Sequence, residues 1–359
     1  MKEYLFVMGR DPQLSIIELV SYLEARKIQF RVRDYTAEVS LIEAPSLNIA
    51  SIIKELGGTT KIGVIFDLKT AKFLHDKIKY HIESYESDIS KFKEELKKVF
   101  KEERVRGQFK NIKGPQDLAK HKILHEGFEF LLFKDKVFKT EAVSNPRSYQ
   151  DRDLKPYFDE KRTTSVRLVR IMINIAGLKP GDTLLDPYCG TGTVMQEAII
   201  LGIKATGLDL DKLTCEGCKR NLHWIRKKYQ LRSEWHIINK DAKRLATYVD
   251  KVDGVVTEPY LGPFLKKLPT YNSAKKLIDK LTKEYHAVLK QIKLVNQGRT
   301  VIVLPVYHTN DGRIIKLPFM ELLKKEKFKL YHPIKGFEIP IKYHPPNTKL
   351  GREIYILTN

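Results

Sequence analysis

Cysteine is scarce in this sequence: 359 residues include only Cys189, Cys215 and Cys218. A secreted scaffold stapled by disulfides would need more, so that class is excluded and a cytoplasmic location is expected. Cys215 and Cys218 have the C-x-x-C spacing of metal ligands, yet a structural zinc ion normally has four ligands. We interpret the pair as packing residues of a helix. The alternative is a metal site completed by Cys189 or His223.

Long hydrophobic runs are also missing. No stretch reaches the ~20 apolar residues that span a bilayer, so we expect no transmembrane helix. The apolar run Tyr4–Met8 near the N-terminus is not followed by a cleavage-type segment. It therefore predicts a first strand rather than a signal peptide.

Acidic residues are outnumbered by basic ones. The chain has 65 Lys and Arg against 44 Asp and Glu, a formal net charge of +21. Such an excess indicates a polyanionic partner, nucleic acid before membrane, although a lysine-rich solvated surface is the alternative. The 42% apolar content can build hydrophobic cores, and the length predicts two or three domains.

Residues 1–68 alternate strand-like and helix-like patterns. Ser15–Ala25 and Ile49–Leu56 have the helical spacing of apolar residues, and short apolar runs around them predict strands. The resulting β-α-β-β-α-β order is that of a split βαβ, ferredoxin-like domain.

Lysine and arginine become dense between residues 69 and 145. Ile89–Glu103 predicts a helix with four core residues on one stripe: Phe92, Leu96, Val99 and Phe100. The cations of Lys91–Lys113 would then face solvent or a phosphate backbone.

The last part of the chain follows a polar segment. Residues 146–160 predict a linker, and its cations in Arg147–Arg162 are further candidates for phosphate contacts. From residue 161 to 359, helices alternate with buried strands, which predicts a doubly wound parallel sheet. Phe337–Ile341 and Glu353–Leu357 predict two antiparallel strands at its edge.

A glycine-rich loop follows the first strand of this sheet. The strand ends in Asp186, and the loop runs from Tyr188 through Gly190 and Gly192 into a helix. A dinucleotide-binding loop would have a small residue where Met195 stands. A carboxylate before the loop repels a pyrophosphate but attracts a cation. S-adenosylmethionine, with its sulfonium and ammonium groups, fits this loop.

Two more acids follow the next two strands. Asp209 is placed to accept hydrogen bonds from ribose hydroxyls, and Asp241 is placed to receive the amino group of adenine. The alternative for each is an N-cap of the following helix. In open α/β sheets, ligands bind at the carboxyl ends of the strands, where these acids are expected.

Glu258, Pro259 and Tyr260 follow the fourth strand. An acid, a proline and an aromatic at this place predict a site for a flat group with an exocyclic amine. The carboxylate would accept the hydrogens of the amine, and the aromatic ring would stack on the base. Thiolate chemistry would need a cysteine here. The alternative is a simple turn.

These residues carry a resemblance to a known family. Tyr149–Tyr157, Lys161-Arg162 and Asp186–Thr193, together with the opening Tyr4–Pro12, resemble the archaeal and eukaryotic tRNA guanine-10 N2-methyltransferases of the Trm11 type. The resemblance implies an α/β protein with a ferredoxin-like domain (1–68), a THUMP RNA-binding domain (69–145), a linker (146–160) and a Rossmann-like class I methyltransferase domain (161–359).

The resemblance also implies S-adenosylmethionine as cofactor and tRNA as partner. We expect a cytoplasmic monomer, with or without a small activating subunit. Thr164 and Ser165, which open the helix before the first sheet strand, are candidates to bind the methionine carboxylate. The Asp-Pro-Pro-Tyr motif of the family is altered here, since Glu258-Pro259-Tyr260-Leu261 stands in its place.

Two rival functions follow from the same residues. A DNA adenine or cytosine amino-methyltransferase would use the same sheet and a related motif, although the basic front half of the chain favours folded RNA. The altered motif also allows a non-catalytic RNA-binding paralogue.

Overall fold

The computed structural model describes residues 1–73, 75–114, 117–118, 121, 123–158, 164–344 and 348–359. They divide into two compact units. The first contains residues 1–19 and 27–147, and the second contains residues 20–26 and 148–359. Lys161 and Arg162 of the family-like segment lie outside the described residues.

The first unit is built on one mixed sheet. Its strands are β1 (Lys2–Met8), β2 (Arg31–Tyr35), β3 (Val39–Ala44), β4 (Thr59–Ile65), β5 (Lys77–Tyr85), β6 (Arg106–Phe109), β7 (Gly127–Phe133) and β8 (Lys136–Val143). The helices of this part of the chain are α1 (Pro12–Ala25, which falls in both units), α2 (Ile49–Glu55), α3 (Ile89–Glu102) and α4 (Ile123–Glu126), with a 3-10 turn at Leu68–Thr70.

The strand order of this sheet, over the described residues, is β2-β3-β1-β4-β8-β7-β5-β6. The predicted β-α-β-β-α-β order of the first 68 residues is present. Strand β4 also pairs with β8, so the strands on either side of residue 68 belong to one sheet. A domain boundary at that residue stays a prediction.

Helix α3 shows how the basic region keeps a core. Asp88 caps the helix by accepting a hydrogen bond from the Ser90 amide at 2.8 Å. Phe92, Leu96 and Phe100 are buried against the sheet, as the stripe predicts, and Val99 packs against the same cluster. Outside this core, the ammonium of Lys93 lies 5.2 Å from the centre of the half-exposed ring of Phe109.

The second unit contains a doubly wound sheet. Its strands are β9 (Thr183–Asp186), β10 (Lys204–Asp209), β11 (Trp235–Asn239), β12 (Val252–Thr257), β13 (Asn296–His308), β14 (Ile314–Lys316), β15 (Lys329–Leu330), β16 (Ile341–Tyr343) and β17 (Leu350–Thr358). Its helices are α5 (Pro146–Asp153, which begins in the first unit), α6 (Val166–Ile175), α7 (Thr193–Ile200), α8 (Lys212–Tyr229), α9 (Tyr271–Val295) and α10 (Phe319–Lys325), with a 3-10 segment at Ala242–Thr247.

The order of this sheet is β11-β10-β9-β12-β13-β17-β15, with β14 on β13 and β16 on β17. Strands β9 to β13 pair in parallel, whereas β17 runs antiparallel to β13. The winding direction reverses between β9 and β12. The crevice at the carboxyl ends of the strands beside such a switch point is the usual ligand site of this architecture.

The structure differs from the sequence predictions in local detail. The segment predicted as a linker begins with α5, whose Tyr149 and Arg152 side chains are buried, and its role as a linker stays a prediction. The strand predicted at Phe337–Ile341 lies at Ile341–Tyr343, where it pairs with β17. Sequence periodicity also missed β14, α10 and β15, which are too short for a clear pattern.

A buried ion cluster fixes α5 to the sheet helices. Glu197 of α7 is fully buried between two arginines. Arg170 donates to its Oε2 from Nε at 2.8 Å and from Nη2 at 2.6 Å, and the Nε of Arg152 lies 3.1 Å from Oε1. One carboxylate thus contacts two buried cations, so its loss would remove a charge that offsets both of them.

No helix in the described part of the chain is long and apolar enough to cross a membrane.

Glu197→Gln should lower the free energy of unfolding of the second unit by about 3–5 kcal/mol, because it removes the carboxylate charge that offsets two buried guanidinium groups. Lys179→Gln is the control, since Lys179 forms an exposed pair with Asp182 at 2.9 Å and should change stability by at most ~1 kcal/mol. Urea unfolding measures both. Equal, small effects would show that the cluster does not stabilise the unit.

Candidate active site

Asp186 lies at the centre of the site, at the end of β9. Its buried carboxylate accepts hydrogen bonds at Oδ1 from the Thr257 hydroxyl at 2.7 Å and the Tyr188 amide at 3.1 Å. Burial, together with the smaller effect of the Asp209 and Glu258 carboxylates, raises the pKa of Asp186 to about 7. Near neutral pH the group is therefore divided between its charged and neutral forms, and a cation bound beside it would favour the charged form.

The backbone of the glycine loop favours glycine at both positions. Gly190 and Gly192 have φ angles of +49° and +85°, in the left-handed region that glycine favours. A Cβ on Gly192 would lie 2.5 Å from the Sγ of Cys218, so the loop packs directly on α8. Cys189 is buried, and the hydrogen bond with Cys218 and burial raise its thiol pKa. It is therefore poorly suited to be a nucleophile.

Asp209 joins the glycine loop to the end of β10. Its Oδ2 accepts a hydrogen bond from the Gly190 amide at 3.1 Å, and its Oδ1 accepts one from the Asp211 amide at 2.9 Å. A carboxylate offers about four acceptor positions, so it can also accept bonds from ligand hydroxyls. The apolar side chain of Leu210, which follows it, is exposed and can cover a flat ligand face.

Asp241 does not lie on a strand end. Strand β11 ends at Asn239, and Asp241 caps the 3-10 segment by accepting a hydrogen bond from the Lys243 amide at 2.9 Å. The ammonium of Lys243 lies 3.3 Å from its other oxygen. The Asp241 side chain therefore acts as an N-cap, which was the alternative interpretation. Its role in binding adenine stays a prediction. Burial raises the pKa of Tyr188, as do the carboxylates of Glu284 and Asp241.

Glu258 follows β12 and is almost fully buried. Its Oε1 accepts a hydrogen bond from the Nε of Arg352 at 2.5 Å, and its Oε2 accepts one from the Thr164 hydroxyl. Thr164 thus contacts the acceptor motif, whereas it was predicted at the methionine pocket. Ser165 is the N-cap residue of α6 and makes no side-chain capping bond there.

Two buried tyrosines fix the backbone after Glu258. The Tyr285 hydroxyl donates to the carbonyl of Tyr260 at 2.6 Å, and the Tyr307 hydroxyl donates to that of Leu261 at 2.5 Å. Gly262 has a φ of +110°, and a Cβ there would lie 1.9 Å from the Tyr307 hydroxyl. The ring of Tyr260 is nearly half exposed above this fixed backbone, where a base can stack on it.

The segment after α5 braces the glycine loop, which sequence patterns did not predict. The ammonium of Lys155 donates to the Thr193 hydroxyl at 2.6 Å, at the start of α7. Burial lowers the pKa of Lys155 to about 8. The Asn221 side chain of α8 bonds both the Tyr157 carbonyl, at 2.7 Å, and the Thr191 carbonyl, at 2.8 Å.

Arg352 is the other residue that the sequence did not reveal. It lies on β17, 94 residues after Glu258, and reaches the site because β17 pairs with β13. No local motif marks such a long-range partner. The available signal was an acid, Glu258, directly after a buried strand. A carboxylate buried there needs a cation as its partner.

Comparison with known proteins shows what the second unit is similar to. A family model described as an RMKL-like methyltransferase domain matches residues 157–309. The second unit contains a methyltransferase domain. A model described as a DNA methylase matches residues 55–220, a range that ends before the motif at Glu258.

Curated relatives of this methyltransferase extend the match. A protein of Methanothermobacter thermautotrophicus named tRNA (guanine(10)-N2)-dimethyltransferase is 29% identical over 272 residues, covering 73% of this chain and 78% of the relative. A protein of the same name in Methanocaldococcus jannaschii is 31% identical over 142 residues, or 33% of this chain and 37% of the relative. These relatives confirm the predicted resemblance to the Trm11-type methyltransferases.

The crystal structure of TrmN from Thermus thermophilus has the same overall fold. It aligns with a TM-score of 0.51 over 99% of each chain, at 14% sequence identity. The predicted α/β class with a Rossmann-like methyltransferase domain is therefore confirmed.

The pKa of Asp186 makes stability depend on pH. Because the folded state holds this proton more tightly, the contribution of Asp186 is favourable at low pH and is lost as pH rises from about 4 to about 7. Asp186→Asn mimics the neutral form and removes the effect. The stability of the variant relative to wild type should therefore rise over this range by up to about 4 kcal/mol.

Urea unfolding at a series of pH values between 4 and 8 measures this difference, in which titrating groups distant from Asp186 cancel. A difference that stays constant with pH would contradict the raised pKa of Asp186.

Proposed function

We propose that this chain transfers a methyl group from S-adenosylmethionine to the exocyclic 2-amine of a guanosine in tRNA. The observation that carries the proposal is the buried Glu258, held by Arg352 and Thr164 beside Asp186 at the ends of neighbouring strands. The curated relatives named as tRNA guanine-10 dimethyltransferases support the same reaction.

The residues present fit S-adenosylmethionine. When bound, it supplies an electrophilic methyl group on a sulfonium centre. Asp186, Tyr188, Gly190 and Gly192 would surround its methionine part, because an acidic, glycine-lined pocket suits a ligand with two positive centres. The carboxylate of Asp209, at the end of β10, would accept hydrogen bonds from the ribose hydroxyls.

The remaining cofactor contacts come from three further residues. Asp241 would lie at the adenine end, close to Tyr188. Ser165 is a better donor to the methionine carboxylate than Thr164, since the Thr164 hydroxyl is already bonded to Glu258.

The acceptor motif would hold the amine. The guanidinium of Arg352 pairs with Glu258 and holds its carboxylate in place. That carboxylate can accept a hydrogen bond from the amine and offset the positive charge that develops on nitrogen. The carbonyls of Tyr260 and Leu261 accept hydrogen bonds from the hydroxyls of Tyr285 and Tyr307. No donor among the described residues bonds the carbonyl of Pro259. That carbonyl is the second candidate acceptor.

Basic surfaces support a nucleic-acid substrate. In the second unit, a groove of about 750 Å³ is lined by Lys243, Lys275, Lys276, Lys280 and Lys283. Glu284 also lines it and contributes to the raised pKa of Tyr188, so the groove adjoins the glycine loop. In the first unit, Lys93 and the exposed ring of Phe109 combine a cation with a stacking surface.

We further propose a cytoplasmic monomer, with a small activating subunit as the alternative. The DNA amino-methyltransferase is less favoured, because its family match ends before Glu258. The non-catalytic RNA-binding paralogue gains support from one observation: both carboxylate oxygens of Glu258 already have partners.

Transfer of tritiated methyl groups to bulk tRNA, followed by mass spectrometry of the nucleosides, tests the proposal. Wild-type protein should form N2-methylated guanosine at one mapped position. Glu258→Gln should lower the rate roughly 100-fold while cofactor binding, measured by calorimetry, is retained, because it removes a charge that acts on the developing cation.

Glu321→Gln, at an exposed position on α10, is the matched control and should keep the wild-type rate. Cofactor binding without methylation of RNA would favour the non-catalytic paralogue. Methylation of adenine or cytosine, or preference for duplex DNA, would contradict the guanosine assignment.

A further inference from the structure

Arg352 has one bond to Glu258 and a second donor that is unused. Its Nε donates to the Oε1 of Glu258 at 2.5 Å. Its Nη1 is buried and has no hydrogen-bond partner among the described residues. The side chain as a whole is only 16% exposed.

An unpaired, buried guanidinium donor is unfavourable. The large majority of buried side-chain polar atoms in proteins have a hydrogen-bond partner, and charged groups lose most when unpaired. An acceptor on a ligand that binds beside Glu258 would satisfy this donor. The two side chains therefore form one unit for a ligand: a carboxylate that only accepts and a guanidinium that only donates.

The two carboxylate oxygens of Glu258 have different partners, and these partners fix the order in which the acceptors and the donor follow one another. Thr164 bonds Oε2 and Arg352 bonds Oε1, so Arg352 stands on the Oε1 side of the acid. The ligand would meet two acceptors followed by a donor. The Watson–Crick edge of guanine presents the complementary series: the 2-amine, N1–H and the O6 carbonyl. The equivalent edge of adenine has no second donor and no carbonyl.

Building on the proposed function, we propose that Arg352 is a base-binding residue that donates to O6 of the target guanine while Glu258 accepts from N1–H and the 2-amine. Arg352 would thereby contribute to the choice of base as well as to holding Glu258.

The strand that carries Arg352 keeps it in place. On β17 it pairs with Pro305 of β13 on one side and Tyr343 of β16 on the other. Glu353, the next residue, instead bonds Lys316 at 3.0 Å and the Tyr355 hydroxyl at 2.8 Å. A side chain anchored on a paired strand can read a base with little loss of conformational freedom.

Replacement of the target O6 tests this role. A tRNA is assembled by ligation with guanine or 6-thioguanine at the nucleotide that the wild-type protein methylates. The thio analogue keeps the 2-amine and N1–H but presents sulfur, a weak acceptor, in place of O6. The readout is the ratio of kcat/KM for guanine to that for 6-thioguanine, which a merely structural role of Arg352 would not change.

Wild-type protein should favour guanine by roughly 10- to 100-fold, the value of a hydrogen bond to a charged group. Arg352→Met, without donors, should be slower on guanine and bring the ratio close to one. Arg352→Lys, which keeps a charged donor, should give an intermediate ratio. The control is Arg313→Gln, which removes an exposed arginine paired with Asp311 and should leave the ratio unchanged.

The inference is overturned if the wild-type protein gives a ratio near one. It is also overturned if Arg352→Met gives the same ratio as the wild-type protein. If Arg352→Met does not fold, the wild-type and Arg352→Lys ratios decide: an intermediate value supports the inference, and equal ratios overturn it. Methylation of guanine with no discrimination refutes only the role of Arg352. Methylation of another base refutes the proposed function, and the role of Arg352 with it.

Discussion

Electrostatic repulsion among carboxylates is the constraint on which this site depends. Asp186, Asp209 and Glu258 end three strands of one parallel sheet, so they meet at one edge. The negative charge of each carboxylate is offset in a different way. Asp186 has a raised pKa, Asp209 accepts backbone amides, and Glu258 pairs with Arg352. Because the offset at Asp186 is partial, the pocket around the glycine loop keeps an affinity for a cationic ligand.

Hydrogen bonds to three residues of the glycine loop fix its geometry. Gly190 is held by Asp209, Thr191 by Asn221, and Thr193 by Lys155. These contacts come from β10, α8 and the segment after α5, so the loop is fixed from three directions. A loop fixed before its ligand arrives loses less conformational entropy on binding.

Much of the second unit could be predicted because its signals are local. The strand, loop and helix around Asp186 are continuous in sequence, and the parallel sheet follows from the alternation of helices and strands. Arg352 could not be found in this way, since its meeting with Glu258 depends on the pairing of β17 with β13. The bracing role of Lys155 was hidden by a polar, proline-containing segment that has the composition of a linker. Asp241 follows β11 after one further residue, and the sequence pattern left open whether its side chain caps the next segment, as it does.

The most direct test of the carboxylate edge is a crystal structure with S-adenosylhomocysteine. The account predicts the ribose hydroxyls within about 3.2 Å of the Asp209 carboxylate, the methionine part against the glycine loop, and the pair of Glu258 and Arg352 intact. A nucleoside bound away from the ends of β9 and β10, or an Asp209 carboxylate that makes no contact with it, would contradict the account.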